Sequence, residues 1–413
     1  MAIVSTTMCY PSAAASTQGV FIKQRLRAIG RRMPVRVVAP VPWFPLLRPR
    51  RLAEVDTAPA GATADVSAGE PAVVRPRMFY VPGLMKRCDA AFYAAAFGTA
   101  LRALRREGRV DLIDAHFVWP DGVGAWRVAR RARLPFVCTI RGKLVSQIAH
   151  RSRRRQIGEM LRDADALIAV SRSLAALAND VAGRELDARV IPNGVDRTVF
   201  HRRCAKTAYD SALAKTQSAE ALDRPADARL VVSVGHLQAL KGFDRLVEIW
   251  PEVRRRAGDV RLVLVGGPAG EPDYARRLRA SVDAVNASEN CVADAPAVTC
   301  LGRQTPQTVA RLLNAADLFA LVSRSEGWCN AIVEALACGC PVVATDVGGN
   351  REIVEDSSLG WLVPFGDRQA LVEAICRGLS TDWDREHIAR MGGRRDWQQV
   401  ARQCVDVFES VLR

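Results

Sequence analysis

Two carboxylates dominate the chemistry this chain could do. Glu326 and Glu334 lie in the run Ser325-Glu326-Gly327-Trp328-Cys329-Asn330-Ala331-Ile332-Val333-Glu334. An unpaired buried carboxylate is costly, so Glu334 among Ile332, Val333, Ala335 and Leu336 requires a partner. The spacing predicts a helix beginning near Gly327, whose free backbone N–H groups and partial positive charge suit a phosphate. One carboxylate beside that anion site and another deeper along the helix can take hydroxyls on either side of a diphosphate, as a sugar nucleotide requires. The plainer alternative is that Glu326 complements the helix dipole and Glu334 pairs with an arginine. Lys241, ahead of a helix starting near Asp244, could neutralise a departing diphosphate, or be an ordinary loop lysine. His116 ends a buried strand, where α/β folds bind ligands, although a histidine beside Phe117 and Trp119 can equally be a satisfied core residue.

The elements that must position these residues come in two series. Short β-branched runs alternate with arginine- and alanine-rich helical segments, the rhythm of a parallel sheet. In the first half the predicted strands are Ala2 to Thr6, Val35 to Ala39, Leu112 to Ala115, Phe136 to Ile140, Ala166 to Val170 and Arg189 to Ile191. A Gly/Ala/Pro stretch from Ala53 to Pro76 reads as a surface loop, and a polar stretch from Arg197 to Asp227 as a linker. A second series follows: Leu230 to Gly235, Leu262 to Gly266, Val298 to Gly302, Leu318 to Val322 and Val342 to Thr345. The final helix, about Gln398 to Leu412, is amphipathic. The predicted division is residues 1–196, a linker 197–228, residues 229–383, and C-terminal helices 384–413 packing toward the first domain. No segment carries G-x-G-x-x-G, which disfavours hydride chemistry with a bound dinucleotide.

A length of 413 residues suits two domains, and an apolar fraction of 49% with mean hydropathy near zero marks a globular chain. No apolar run approaches the roughly 18 residues needed to span a bilayer. Met1 to Tyr10 reads as a first buried strand and not a signal peptide. Eleven cysteines without a C-x-x-C pair fit a reducing cytoplasm, and no histidine falls at zinc-ligand spacing from them. The net charge is +15, and the whole excess lies in residues 1–200, which hold 32 Lys/Arg against 16 Asp/Glu. Clusters at Arg48 to Arg51, Arg102 to Arg109, Arg127 to Arg133 and Arg151 to Arg155 leave three readings. They are an anionic membrane face, at about 1 kcal/mol per charge near the surface, nucleic acid, or plain solvated surface. Nucleic acid is set aside because no accompanying motif or aromatic run is present.

Five pieces in order carry a resemblance: Tyr10-Pro11 with Gly19, Asp114-Ala115-His116-Phe117, Ile191 to Asp196, Lys241-Gly242-Phe243-Asp244, and the Glu326–Glu334 run. Together they resemble the E-x7-E signature and its companions in family 4 glycosyltransferases, retaining enzymes of the GT-B fold, including exopolysaccharide and capsule biosynthesis members. The resemblance implies two facing Rossmann-like domains with a central cleft and a terminal helix crossing back to the first. It assigns Glu326 to donor sugar hydroxyls, Glu334 to ribose, and the amides of Gly327, Trp328, Cys329 and Asn330 to phosphate or sugar O4. It places Lys241 on the diphosphate, His116 by the reacting sugar, Gly19 in the first-domain loop and Asn193 at the cleft edge. Arg141 could meet an acidic acceptor. The family's usual arginine after the first strand of the second series is His236 here, which puts full neutralisation of the diphosphate in question.

These readings imply a metal-independent glycosyltransferase with no cofactor beyond its nucleotide diphosphate-sugar donor. Asp163-Ala164-Asp165 and Asp382-Trp383-Asp384, D-x-D strings of the kind that hold a metal elsewhere, are read as surface acids. The expected acceptor is an oligosaccharide, lipid-linked, in bacterial surface or exopolysaccharide assembly. The expected location is the cytoplasm, peripherally on the inner face of the plasma membrane. A catalytically silent sugar-nucleotide-binding protein, or another GT-B enzyme such as an epimerase or soluble disaccharide synthase, remains the alternative.

Overall fold

The computed structural model describes residues 1–13, 15–45, 69–203, 228–288 and 296–413. The two βα series fold as two units: Met1–Gly194 with Trp397–Arg413, and Val195–Asp396. In the first unit the strands are β1 Ile3–Thr6, β2 Val35–Val38, β3 Val41–Trp43, β4 Ala72–Val74, β5 Arg77–Phe79, β6 Leu112–His116, β7 Phe136–Ile140, β8 Ala166–Ala169 and β9 Ala188–Val190. Seven of them form a parallel sheet in the order β4-β2-β1-β6-β7-β8-β9, while β3 and β5 make a separate parallel pair. Its helices are α1 Val20–Gly30, α2 Asp89–Glu107, α3 Val123–Ala132, α4 Leu144–Gln147, α5 Arg151–Asp163 and α6 Arg172–Ala182.

The second unit contains β10 Arg229–Val234, α7 Phe243–Ala257, β11 Val260–Val265, α8 Pro272–Ser288, β12 Val298–Gly302 and α9 Pro306–Ala315. It continues with β13 Leu318–Leu321, α10 Asn330–Ala337, β14 Val342–Thr345, β15 Gly360–Val363, α11 Arg368–Ser380 and α12 Arg385–Gly392. Its parallel sheet runs β12-β11-β10-β13-β14-β15. Strands such as β11, Val-Arg-Leu-Val-Leu-Val, are buried throughout because helices cover both faces of a parallel sheet. Local signals agree with the global arrangement: Thr305 caps α9 through the Thr308 amide with Pro306 next, and Ser171 caps α6 through the Leu174 amide.

Each sheet reverses its order once. In the first unit the reversal lies between β1 and β6, with Ile3 opposite both Val35 and Leu112. In the second it lies between β10 and β13, with Val231 opposite both Leu262 and Leu318. Loops leaving the carboxyl ends of those central strands cannot fold to the same side, which opens a crevice at the switch point.

Several sequence expectations shift. The stretch read as a loop from Ala53 to Pro76 includes β4, an edge strand paired with β2; its residues 53–68 lie outside the described residues. So do residues 204–227 of the expected linker and the Arg48–Arg51 cluster. The division at 384 is corrected: α12 packs on α10 within the second unit, and a Cβ on Gly392 would stand 2.2 Å from the Ala337 nitrogen. Only α13, Trp397–Leu412, joins the first unit, where Val400, Ala401, Cys404 and Phe408 complete the core under α1. Val195 bridges Asp396, so the chain enters and leaves the second unit side by side.

Candidate functional site

Lys241 and Glu326 come from loops following β10 and β13, the two strands at the switch point of the second unit. Backbone packing brings the loops together. Gly242 adopts φ 68°, and a Cβ there would lie 2.4 Å from the Val322 carbonyl oxygen, so a side chain would push the loops apart. The Arg324 amide donates to the Leu240 carbonyl at 2.8 Å, and the Thr345 hydroxyl donates to the Ser323 carbonyl at 2.6 Å. Behind Glu326 stands Gly348 at φ 53°, whose absent Cβ would fall 1.7 Å from the Glu326 carbonyl oxygen. The result is a charge-assisted bond from Lys241 Nζ to Glu326 Oε1 at 2.6 Å, across 85 residues of sequence. Burial alone would drive the proton off Lys241, but Glu326 outweighs it and raises the lysine above its ordinary pKa.

The helix carrying Glu334 starts later than the spacing predicts: α10 begins at Asn330, with Cys329 as its N-cap, so Gly327 and Trp328 belong to the approach loop. Its first-turn amides lack intrahelical acceptors. Glu334 lies one turn in, half-buried, and no protein hydrogen bond or ion pair to its carboxylate exists among the described residues. The partner expected for it is therefore not found among the described residues. Burial pushes the Glu334 carboxyl up to about 8. Nearby, the Trp328 indole N–H is also buried without an acceptor, while Cys329 is a buried thiol pushed up to about 12 by burial.

His236 follows Gly235 at the end of β10. Burial, then Lys241 and Arg303, push its pKa down, so it is neutral at pH 7 and offers a hydrogen bond in place of a charge. Arg303 is a residue that sequence reasoning missed. It follows Gly302 at the end of β12, and its Nε lies 3.4 Å from where a Cβ on Gly267, at the end of β11, would stand. It is exposed and makes no ion pair among the described residues. The available signal was the repeated pattern of a strand, a glycine and a basic residue: Gly235-His236 and Gly302-Arg303.

The first unit brings a second group together. His116 is fully buried, with Nε2 3.2 Å from Asp114 Oδ2 outside good hydrogen-bond alignment. Its Nδ1 stands 3.3 Å from Arg141 Nη2. Since arginine only donates, Nδ1 accepts and the ring proton sits on Nε2, facing Asp114. Burial, against the pull of Asp114, lowers His116 to about 4, so the ring is neutral. Burial opposes ionisation of Asp114, yet contacts with His116, Arg25 and Ser5 hold its carboxyl at about 2. Arg141 donates to Asn193 Oδ1 at 3.1 Å and stacks on Phe21 with its Cζ 4.9 Å from the ring centre. Burial and Arg25 lower Arg141 to about 9, leaving it charged at neutral pH. His116 in this geometry orients Arg141. Gly19 caps α1 at φ 71°, with a Cβ position only 1.9 Å from the Cys9 carbonyl oxygen, so the loop after β1 closes on itself.

Both D-x-D strings have structural partners. Asp163 accepts from the Trp126 indole at 2.7 Å, Asp165 accepts from the Phe136 amide at 2.8 Å, and Asp384 caps α12 through the His387 amide at 2.8 Å.

Known proteins share this organisation. Residues 31–199 match Glycosyltransferase Family 4 and residues 228–381 match Glycosyl transferases group 1. The D-inositol 3-phosphate glycosyltransferase of Xylanimonas cellulosilytica is 31% identical over 88% of this chain and 89% of its own. A Bacillus subtilis glycosyltransferase named for teichuronic acid biosynthesis, TuaC, is 29% identical over 91% of this chain and 89% of its own. Among solved structures, sucrose-phosphate synthase from Thermosynechococcus elongatus superposes with a TM-score of 0.77 at 21% identity, covering 100% and 99% of the two chains. Anabaena HepE in complex with UDP gives 0.70 at 22% identity, covering 99% and 100%. The two Rossmann-like units are those of the GT-B fold, and the chain belongs to the family 4 glycosyltransferases.

Proposed function

We propose that this glycosyltransferase takes its sugar from a nucleoside diphosphate-sugar bound at the switch point of the second unit, and transfers it with retention of configuration. One observation carries the reading: Lys241 and Glu326 are paired at 2.6 Å, and eight residues beyond Glu326 a half-buried carboxylate, Glu334, has no protein partner among the described residues. A diphosphate satisfies the lysine, sugar hydroxyls satisfy Glu326, and ribose hydroxyls satisfy Glu334. UDP in the HepE complex supports this choice of ligand class. Lys241, Arg303 and the first turn of α10 supply positive charge without a required metal. Retention is read as front-face attack, with the leaving phosphate helping to deprotonate the acceptor.

The acceptor is proposed to be a lipid-linked oligosaccharide in bacterial surface or exopolysaccharide assembly, at the cytoplasmic face of an anionic membrane. The teichuronic acid name of TuaC and the basic first 200 residues support it. Among the described residues no helix is long and apolar enough to cross a membrane. Product analysis tests the reading. With a labelled donor and lipid-extract acceptor, the account expects the anomeric configuration of the donor in an elongated lipid, with chelator present. An inverted linkage, a free epimer or a soluble disaccharide would overturn it.

A further inference from the structure

The described residues expose eight large hydrophobic side chains, and four of them gather in one short part of the first unit: Trp43, Phe79, Leu84 and Met85. Trp43 and Phe79 end the paired strands β3 and β5, with the Tyr80 amide donating to the Trp43 carbonyl at 2.9 Å. The chain then turns through Val81-Pro82-Gly83 and presents Leu84 and Met85 at 68% and 51% exposure, the most exposed of the eight. Gly83 at φ 75° and Met85 at φ 52° hold this tip in left-handed backbone, and nothing lies within 4 Å of a Cβ built on Gly83. A cluster of exposed apolar side chains marks a surface that contacts a partner or a membrane.

Charge defines which of the two. From Pro71 to Cys88 the chain has four basic residues, Arg75, Arg77, Lys86 and Arg87, and no acidic one. The next acid, Asp89, is buried. Arg77 lies over the Trp43 ring at 5.8 Å and Lys86 over Tyr80 at 3.6 Å, so each cation is tied to the aromatic beside it. An apolar tip, aromatic rings behind it and cations at their level match the depth profile of a bilayer interface with anionic headgroups.

We propose that the turn 81–85, with Trp43 and Phe79, is the part of this protein that inserts into an anionic bilayer, and that Arg77, Lys86 and Arg87 hold it to the headgroups. This deepens the membrane-associated reading above and rests on it. The occupant is a lipid surface and not a protein, because the cations stand at the rim of the apolar tip where lipid phosphates would lie.

Sedimentation with phosphatidylcholine vesicles containing about one third phosphatidylglycerol tests this, since anionic lipid supplies the surface potential. Wild type is compared with Leu84→Ser/Met85→Ser and with Arg77→Gln/Lys86→Gln/Arg87→Gln, all exposed or half-exposed positions outside the donor site. The account expects salt-resistant residual binding by wild type, at least about a tenfold lower partition for the serine variant, and a loss of about fivefold per neutralised cation on anionic vesicles only. Brominated acyl chains should quench fluorescence that is missing in Trp43→Phe. Equal binding by the serine variant, abolished by salt, would overturn the insertion surface and leave the electrostatic membrane reading standing. No vesicle binding by wild type would overturn both, while nucleotide titration judges the donor site separately. A concentration-dependent dimer in sedimentation velocity, lost in the serine variant, would assign the surface to a second copy and overturn the proposal.

Discussion

At the scale of single residues, the candidate site pairs a lysine with a glutamate and leaves a second glutamate without a protein partner among the described residues. Removing one member of a charge-assisted pair costs on the order of 1.5–3 kcal/mol, so Lys241→Ala should weaken nucleoside diphosphate binding by about ten- to a hundredfold. Arg303→Ala should weaken diphosphates more than the free nucleoside, and His236→Arg should recover part of that loss; competition assays with the nucleoside, mono- and diphosphate check it. Glu334 gives a pH signature. Its pKa of about 8 lies above the ordinary carboxylate value, so in the ligand-free protein its ionisation reduces stability as pH rises toward 8. Ribose hydroxyls favour the ionised form, so binding releases its proton. Affinity should therefore rise by up to about tenfold per pH unit approaching pH 8 and level off above it, and Glu334→Gln should flatten the profile. Of these residues, Glu326 and Glu334 stood out in the sequence because the spacing of their run has a physical meaning, and Lys241 through the family resemblance. The pairing of Lys241 with Glu326 was not, because it depends on packing across 85 residues. Arg303 was hidden for the same reason: a lone arginine after a strand says nothing until the neighbouring strand ends are placed beside it.

At the scale of elements, glycines decide whether the loops meet. Gly242→Ala forces a side chain into left-handed backbone and against the Val322 carbonyl, a strain of order 1–3 kcal/mol. It should lower the thermal midpoint and also weaken nucleotide binding, because the displaced loop carries Lys241; Leu240→Ala, at an exposed position of the same loop, should do neither. The central strands were legible from buried β-branched runs, to within a residue or two at their ends. The edge strands β4 and β15 were not, although the equally short edge strand β9 was; such a strand gets its structure from its neighbour. The start of α10 slipped from Gly327 to Asn330 because Gly327 and Trp328 extend the loop that Gly348 supports from behind.

At the scale of the whole molecule, two parallel-sheet units share one chain, and the last helix returns to the first of them. Phe408 is fully buried in the first unit's core, so Phe408→Ala should cost about 3–5 kcal/mol there. Hydrogen exchange should accelerate in β1, β2 and β6 and stay unchanged in β10 and β13. The return of that helix was foreseen only through family resemblance; amphipathicity shows that a helix needs a partner and not which one. Likewise the basic half of the chain was visible in composition, whereas the exposed apolar turn emerged only with the fold. The most direct test of the central claim is calorimetric titration of wild type and Lys241→Ala with UDP, GDP, ADP and dTDP, without added metal. The account predicts selective binding of one diphosphate by wild type, weakened about ten- to a hundredfold in the variant. Binding of none of the four, or equal binding by both proteins, would contradict it.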